Sequence, residues 1–186
     1  MKHIISFVIV MAFVALSVSC NSKKGGTDTS SSVTEQVETE ADSTIYGSCG
    51  EGTSMNSLQL ITEKGDTLNF TMVSEDTSSV VLGGLLAGDR LAVVACKTAD
   101  GEQFAKTVIN ITSLMGKWSS IDRSFTIEDG GVVEGDNQEP KPYVDWRILN
   151  GKLILTSDTF SVYALGPDSL LLENNNGIYA YKRVMK

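Results

Sequence analysis

The chain has 186 residues, of which 41% are hydrophobic and 20% charged, and its formal net charge is −8. Such acidity disfavours nucleic acid and anionic lipid headgroups as partners, because both are bound through clustered lysines and arginines. The single histidine is His3, in a segment that is predicted to be removed. The mature chain therefore lacks the residue needed for Ser/His/Asp or Cys/His catalysis, for histidine-ligated zinc and for a histidine pH switch.

The amino-terminus is typical of an export signal. Lys2 precedes an apolar run from Ile4 to Val18, which is shorter than the ~20 residues of a membrane-spanning helix. The following Leu16-Ser17-Val18-Ser19-Cys20 resembles the processing site of bacterial lipoproteins. This resemblance implies cleavage after residue 19 and a lipid anchor on Cys20, which would hold the protein to a membrane of the cell envelope. The alternative is a plain signal peptide in which Cys20 has no role.

Residues 20–43 are predicted to be a disordered tether. From Asn21 to Ser43 the only apolar side chains are Val33, Val37 and Ala41, so the segment cannot bury enough surface to offset its ordering entropy. About 23 flexible residues have a root-mean-square reach of roughly 25–29 Å. In some bacterial lipoproteins, acidic residues just after the cysteine favour surface display. The sequence Ser22-Lys23-Lys24 instead favours an outer-membrane protein that faces the periplasm. Display on the cell surface is the alternative.

A first β module is predicted for residues 44–112. Apolar residues recur there with the short spacing of strands, and Gly and Asp separate them. We expect strands near Thr44–Cys49, Asn56–Thr62, Thr67–Val73, Arg90–Thr98 and Phe104–Thr112. Five strands with a Gly-Asp turn before the fourth resemble a small OB-type barrel. Few aromatic and basic side chains accompany this pattern, so nucleic acid is not a predicted ligand of this module.

Cys49 and Cys96 both fall in predicted strands of this module. In an oxidising envelope an even pair of cysteines indicates a disulfide, which would stabilise the fold by roughly 3–4 kcal/mol. The alternative is two separate thiols that pack as small hydrophobic groups. The sequence contains no Cys-x-x-Cys motif, so a redox enzyme is not predicted.

A second β module is predicted for residues 114–186. Short alternating segments follow one another from Trp118 onward, and Asn150-Gly151 and Asn176-Gly177 are typical of tight hairpins. About seven strands joined in sequence by tight turns favour an up-and-down meander that closes as a barrel. The predicted fold class is therefore all-β, with two small barrel-like modules.

The second module resembles small lipocalin-like lipoproteins of Bacteroidetes. This resemblance covers about seventy residues, and it implies a fold and a compartment but no ligand. The motifs that carry it occur in the same order: Gly116-Lys117-Trp118, Phe125-x-Ile127-x-Asp129-Gly130, Trp146-x-x-Leu149, Leu153-Ile154-Leu155, Asp158-Thr159-Phe160 and Asp168-Ser169-Leu170-x-Leu172.

Large side chains of the second module are the predicted site or core residues: Trp118, Phe125, Trp146 and Phe160. A barrel of about eight strands can be filled by its own side chains or can hold one small ligand. The short strands and the bulky inward residues favour a filled interior. Trp118 would form the floor of a cavity in the second case and would plug one end of the barrel in the first.

No catalytic residue, metal site or cofactor is predicted. The stretch from Glu128 to Glu139, which runs into the acidic loop from Val132 to Pro142, offers oxygens that a calcium ion could use, but it lacks the regular spacing of dedicated calcium loops. Ser54 and the other serines have no histidine base, and no spacing rule selects a carboxylate pair. We therefore expect a non-enzymatic envelope lipoprotein that acts as a binding or interaction module for an envelope protein. The alternatives are a lipocalin-like carrier of a small apolar ligand and an inhibitor of an envelope hydrolase.

Overall fold

The computed structural model describes residues 41–74, 77–135 and 140–185. The predicted signal peptide, Cys20 and the tether up to residue 40 lie outside the described residues. The remainder of the chain falls within one compact unit, Glu40–Lys186.

The first module is built from six strands. Its hairpins form where glycine supplies a backbone conformation with positive φ, as at Gly65 (φ 88°) between the second and third strands. Apolar residues alternate along these strands, so that Leu58 and Leu60 of the second strand are buried together. The strands are β1 (Thr44–Cys49), β2 (Ser57–Thr62), β3 (Thr67–Thr71), β4 (Val80–Leu82), β5 (Arg90–Lys97) and β6 (Gln103–Asn110).

The pairing of these strands has the topology of an OB-type barrel. β1 pairs with both β2 and β5, all antiparallel, and β5 pairs with β6. One parallel bridge, Thr71↔Phe104, joins β3 to β6 and closes the ring of five strands. β4 was not predicted from the sequence, and it adds a short parallel strand beside β6.

A single helical turn, α1 (Ile111–Leu114), connects the two modules. It begins at Asn110, whose side-chain oxygen accepts a hydrogen bond from the Ser113 backbone N–H. Asn110 is completely buried, and its amide nitrogen donates to Asp89 Oδ2 (2.6 Å) and to the Gly84 carbonyl (3.0 Å). The connection is therefore fixed to the turn that precedes β5.

The second module is an eight-stranded antiparallel sheet. From β7 to β9 and from β10 to β14 each strand pairs with the next one along the chain, and β14 returns to pair with β7. The strands are β7 (Gly116–Ser119), β8 (Ser124–Ile127), β9 (Val133–Gly135), β10 (Trp146–Leu149), β11 (Lys152–Leu155), β12 (Asp158–Leu165), β13 (Ser169–Asn174) and β14 (Gly177–Arg183).

One antiparallel bridge closes this sheet into a barrel. Val132, just before β9, pairs with Asp145, just before β10, and the Val133 N–H donates to the Val144 carbonyl (3.0 Å). The up-and-down order and the closure correspond to a lipocalin-like meander. The all-β prediction with two barrel-like modules is confirmed.

Several local predictions in the second module are corrected by the structure. The acidic loop contains strand β9, because its amino-terminal residues pair with β8. The alternation of Val144, Trp146 and Ile148 with Tyr143, Asp145 and Arg147 predicts that Val144 and Tyr143 lie on opposite faces, with Val144 on the face of Trp146. In the structure Tyr143 is buried and Val144 exposed, because the regular strand begins only at Trp146.

The sequence pattern also predicts that Ile121 shares a strand face with Phe125 and Ile127, and that residues 170–172 are buried on both sides or lie at a sheet junction. In the structure Ile121 is fully exposed in the turn between β7 and β8, and only one face of residues 170–172 is buried.

The first barrel packs against one end of the second. Three connections at that end of the second barrel contact the first barrel. In the β8–β9 connection, Asp129 forms an ion pair with Arg90. The Gly83 N–H donates to the Leu165 carbonyl (3.1 Å) at the end of β12, and the Tyr46 hydroxyl donates to the Ile148 carbonyl (2.6 Å). Buried residues of both modules form one shared hydrophobic cluster across this junction.

The last three residues of the predicted tether are attached to the same junction. The Ser43 N–H donates to Asn150 Oδ1 (2.8 Å), and Asn150 Nδ2 donates to the Ala41 carbonyl (3.4 Å). Asn150 lies in the β10–β11 hairpin. The described chain therefore begins at the end of the second barrel that faces the first.

Candidate functional site

The opposite end of the second barrel is open and forms the candidate functional site, which we call the mouth. It is a concavity of about 320 Å³. Its residues come from the β7–β8, β11–β12 and β13–β14 connections and from the segment that precedes β10. In an up-and-down barrel alternate connections lie at the same end, so these segments converge on the end that the first barrel does not contact.

Aromatic rings line the floor and one wall of the mouth: Tyr143, Phe160, Tyr179 and Tyr181. Tyr143 and Tyr179 both meet Phe160 edge to face, with ring centres 6.4 and 5.8 Å apart. Tyr181 meets Phe125 in the same manner at 5.0 Å. Such contacts hold the rings in fixed orientations. Tyr179 is 37% exposed whereas the other three are buried, so Tyr179 is the ring that a ligand can reach.

Polar side chains surround these rings: Ser120, Asp122, Arg123, Asp158, Asn174 and Asn176. The Arg123 guanidinium lies over the Tyr143 ring, 4.3 Å from its centre. Burial raises the pKa of the Tyr143 phenol above its ordinary value, and the charge of Arg123 opposes this effect. Tyr143 is therefore a neutral phenol at neutral pH, and it can donate and accept hydrogen bonds.

A polar groove adjoins the mouth on the outer face of the barrel. It has a volume of about 370 Å³ and shares Asp158, Asn174 and Asn176 with the mouth. Lys152 crosses it, and its ammonium donates to Ser161 Oγ (2.7 Å). The residues that line the groove alone are all polar: Lys152, Ser157, Thr159, Ser161, Glu173 and Asn175.

The four side chains that the sequence singled out lie in the interior of the second barrel. Trp118, Phe125 and Phe160 are at most 1% exposed and Trp146 is 8% exposed, and all belong to one cluster. The Trp118 indole donates to the Leu114 carbonyl (2.8 Å) at the end next to the first barrel. The Trp146 indole donates to the Glu128 carbonyl (2.7 Å). Of the four, Phe160 alone also lines the mouth.

Cys49 and Cys96 are separate free thiols in this structure, so the possible disulfide is absent and the alternative of two separate thiols holds. The Cys49 N–H donates to the Asp89 carbonyl just before β5, whereas Cys96 lies seven residues further along. Seven residues of extended chain advance by up to about 23 Å at ~3.3 Å per residue, whereas a disulfide requires Cα atoms within about 7 Å. Cys49 is buried and Cys96 is exposed.

A smaller concavity of about 190 Å³ lies on the first barrel near the junction. Tyr46 and Arg90 line it. However, the Tyr46 hydroxyl donates a hydrogen bond to the Ile148 carbonyl, and Arg90 forms an ion pair with Asp129. These polar groups are therefore used to join the modules, and the mouth of the second barrel is the stronger candidate.

Sequence reasoning missed the tyrosines of the mouth. Tyr179 and Tyr181 alternate within β14, and that spacing is a signal that could have placed both on the inner face. Tyr143 comes from an irregular segment, so no periodicity indicated that it is buried.

Among residues 41–74, 77–135 and 140–185, no three His, Cys, Asp or Glu side chains are grouped as a metal site. The short helix found in these ranges is not long and apolar enough to cross a membrane. Comparisons with models of known protein families, with curated proteins and with solved structures find no match to this chain.

Proposed function

We propose that this protein is a non-enzymatic binding module of the cell envelope and that the mouth of the second barrel is its binding surface. The observation that carries the proposal is the exposed Tyr179 ring, which stands beside fixed aromatic and charged groups in an open concavity. Concave sites with apolar walls and a few convergent polar groups are the usual form of ligand sites.

The attachment of the amino-terminal segment supports this assignment. Residues 41–43 contact Asn150 at the junction end of the second barrel, and the mouth lies at the other end. A lipid on Cys20, as the processing-site resemblance implies, would hold the body from the junction side. The mouth would then be free to meet a ligand in the periplasm or at the cell surface.

A carrier of a small apolar molecule is less well supported. Such a carrier needs an apolar cavity within the barrel, and Trp118, Phe125 and Phe160 are fully buried there among leucines and isoleucines. The open and partly polar mouth fits a ligand that is held at the barrel end.

One observation favours the inhibitor alternative. Ile121 is completely exposed at the tip of the β7–β8 hairpin, between two residues that line the mouth. An exposed isoleucine on a hairpin tip can insert into an apolar pocket of a partner protein. If the protein inhibits an envelope hydrolase, a panel of periplasmic hydrolases should include one whose inhibition is lost with Ile121→Asp.

The mouth assignment is tested by hydrogen–deuterium exchange of the full-length lipoprotein in detergent, with and without a soluble envelope extract from its host. We expect slower exchange in the segments 119–124, 156–158 and 174–179. Tyr179→Ala should abolish this protection, and Tyr163→Ala, a change at an exposed tyrosine outside the mouth (62% exposed), should preserve it. Protection confined to the first barrel, or no protection at all, would overturn the proposal.

A further inference from the structure

The mouth and the polar groove form one continuous surface across the rim of the second barrel. Asp158, Asn174 and Asn176 line both concavities. From Asp158 to Ser161, strand β12 advances about 10 Å at the usual rise per residue. A ligand that fills both concavities is therefore elongated, and it passes from the inner face of the barrel over the rim to the outer face.

The lining combines one accessible aromatic ring with many planar polar groups. Tyr179 offers its ring beside the amides of Asn174 and Asn176 and the carboxylate of Asp158. A sugar ring presents C–H groups on its face and hydroxyls on its rim. The face can pack on an aromatic ring, and each hydroxyl can donate to a carboxylate or amide oxygen and accept from an amide N–H.

The charges of this surface disfavour an anionic ligand. Two basic side chains, Arg123 and Lys152, stand against three acidic ones, Asp122, Asp158 and Glu173. A polyanion such as a nucleic acid would need a clear excess of cations. Acidic and basic side chains are nearly balanced here, so the surface favours neither a polyanion nor a polycation, and a neutral occupant fits it.

A peptide is disfavoured by the backbone and by the groove chemistry. From Asp158 to Ser161, β12 is paired with β11 along one edge. Its other edge is paired with β13 from Ser161 onward, which leaves at most residues 158–160 open, too short a stretch for the addition of a peptide strand. No apolar side chain lines the groove, so a peptide side chain would find no hydrophobic pocket.

We propose that this surface binds a neutral oligosaccharide, with one sugar ring against Tyr179 and the following rings in the groove of β11–β13. This inference rests on the proposed function and specifies its ligand class. The Tyr179 phenol ring supplies the stacking platform. At the rim, the sugar hydroxyls form hydrogen bonds with Asp158, Asn174 and Asn176. The hydroxyls of the sugar rings beyond the rim form hydrogen bonds with Glu173 and Asn175.

The test is a set of calorimetric titrations of the full-length lipoprotein in detergent with defined oligosaccharides. The probes are gluco-, xylo-, manno- and N-acetylglucosamine oligomers of increasing length, with oligogalacturonate as the anionic counterpart. We expect one neutral series to bind, with affinity rising from the monomer to the longer oligomers. Tyr179→Ala should weaken every length about tenfold, which corresponds to the loss of one stacking contact.

A groove variant separates the two parts of the surface. Glu173→Ala combined with Asn175→Ala should weaken the long oligomers several-fold and leave the shortest binding oligomer unchanged. Tyr163→Ala should change nothing. Circular dichroism of each variant should match that of the wild type, because all these side chains are exposed.

The outcomes distinguish this inference from the broader proposal. If no neutral series binds at millimolar concentration while the envelope extract still protects the mouth, the ligand class is wrong and the binding surface stands. If oligogalacturonate binds more tightly than every neutral series, or if Tyr179→Ala has no effect, the inference is overturned. If neither oligosaccharides nor the extract affect the mouth, both proposals fail.

Discussion

The Arg183 guanidinium lies over the Trp118 indole, 4.2 Å from its ring centre, at the end of the second barrel that faces the first. The same guanidinium donates hydrogen bonds to the carbonyls of Ser113, Met115 and Pro167. Burial lowers the pKa of Arg183, and the Asp168 carboxylate partly offsets this. The Arg183 side chain thus joins β14 to β7 and to α1, the helical turn that connects the modules.

Replacement of Arg183 should destabilise the protein. Arg183→Ala removes a stacked cation and leaves three carbonyls without their donor, at an expected cost of about 2–4 kcal/mol in the free energy of unfolding. Arg183→Lys should recover only part of this, because an ammonium cannot match the fork of the guanidinium. Urea unfolding followed by tryptophan fluorescence measures both changes.

Arg147→Ala is the matched control, because Arg147 is an exposed arginine on β10. Its effect should stay within about 0.5 kcal/mol. Equal effects of Arg183→Ala and Arg147→Ala would contradict the role given to Arg183.

Loss of the Asn110 side chain should also cost stability. Asn110→Ala removes the cap of α1 and the donor to Asp89 and Gly84, and the expected loss is about 2–4 kcal/mol. Asn69→Ala, at an exposed position on β3, should be close to neutral. The comparison uses urea midpoints, and similar midpoints for the two variants would show that the buried network contributes little.

The two cysteines should differ in reactivity. Iodoacetamide applied to the folded protein, followed by peptide mapping, should label Cys96 and spare Cys49, because only Cys96 is exposed. Both should be labelled in urea without a reducing agent. A peptide that contains Cys49 joined to Cys96 in the protein from its host would contradict the structure.

Stability should fall at alkaline pH, in part through Tyr143. Burial raises the pKa of the Tyr143 phenol above its ordinary value of about 10, so the folded protein holds this proton more tightly than the unfolded chain. The contribution is complete below pH about 10 and is lost as pH rises through the raised pKa of the folded state. Urea unfolding across this range should show a shallower decline for Tyr143→Phe than for the wild type. Parallel curves would refute the assignment.

Most of the fold could be predicted from the sequence because its strands alternate and its turns use glycine. β1 was predicted at Thr44–Cys49, where the structure has it. β4 and β9 were missed because each has three residues, too few for a period to emerge. The parallel bridge Thr71↔Phe104 depends on a long-range contact that local sequence does not encode.

The candidate site was less predictable than the fold, because it depends on strand register and on hairpin ends. Large apolar residues such as Phe160 signal burial by their composition alone. The mouth, in contrast, depends on the positions at which the hairpins end. It also depends on which inward-facing residue of each strand lies nearest the solvent. Tyr179 and Tyr181 lie on the same face of β14, yet Tyr179 is exposed and Tyr181 buried, and only the strand register distinguishes them.

The most direct test of the mouth as a binding surface is tyrosine nitration in the native envelope. Tetranitromethane should modify Tyr179 and Tyr163 in the purified protein, since they are 37% and 62% exposed. In intact envelopes of the host, mass spectrometry should show Tyr179 protected relative to Tyr163, because a ligand covers the mouth there. Equal nitration of Tyr179 in the purified protein and in the envelope, normalised to Tyr163, would contradict the account.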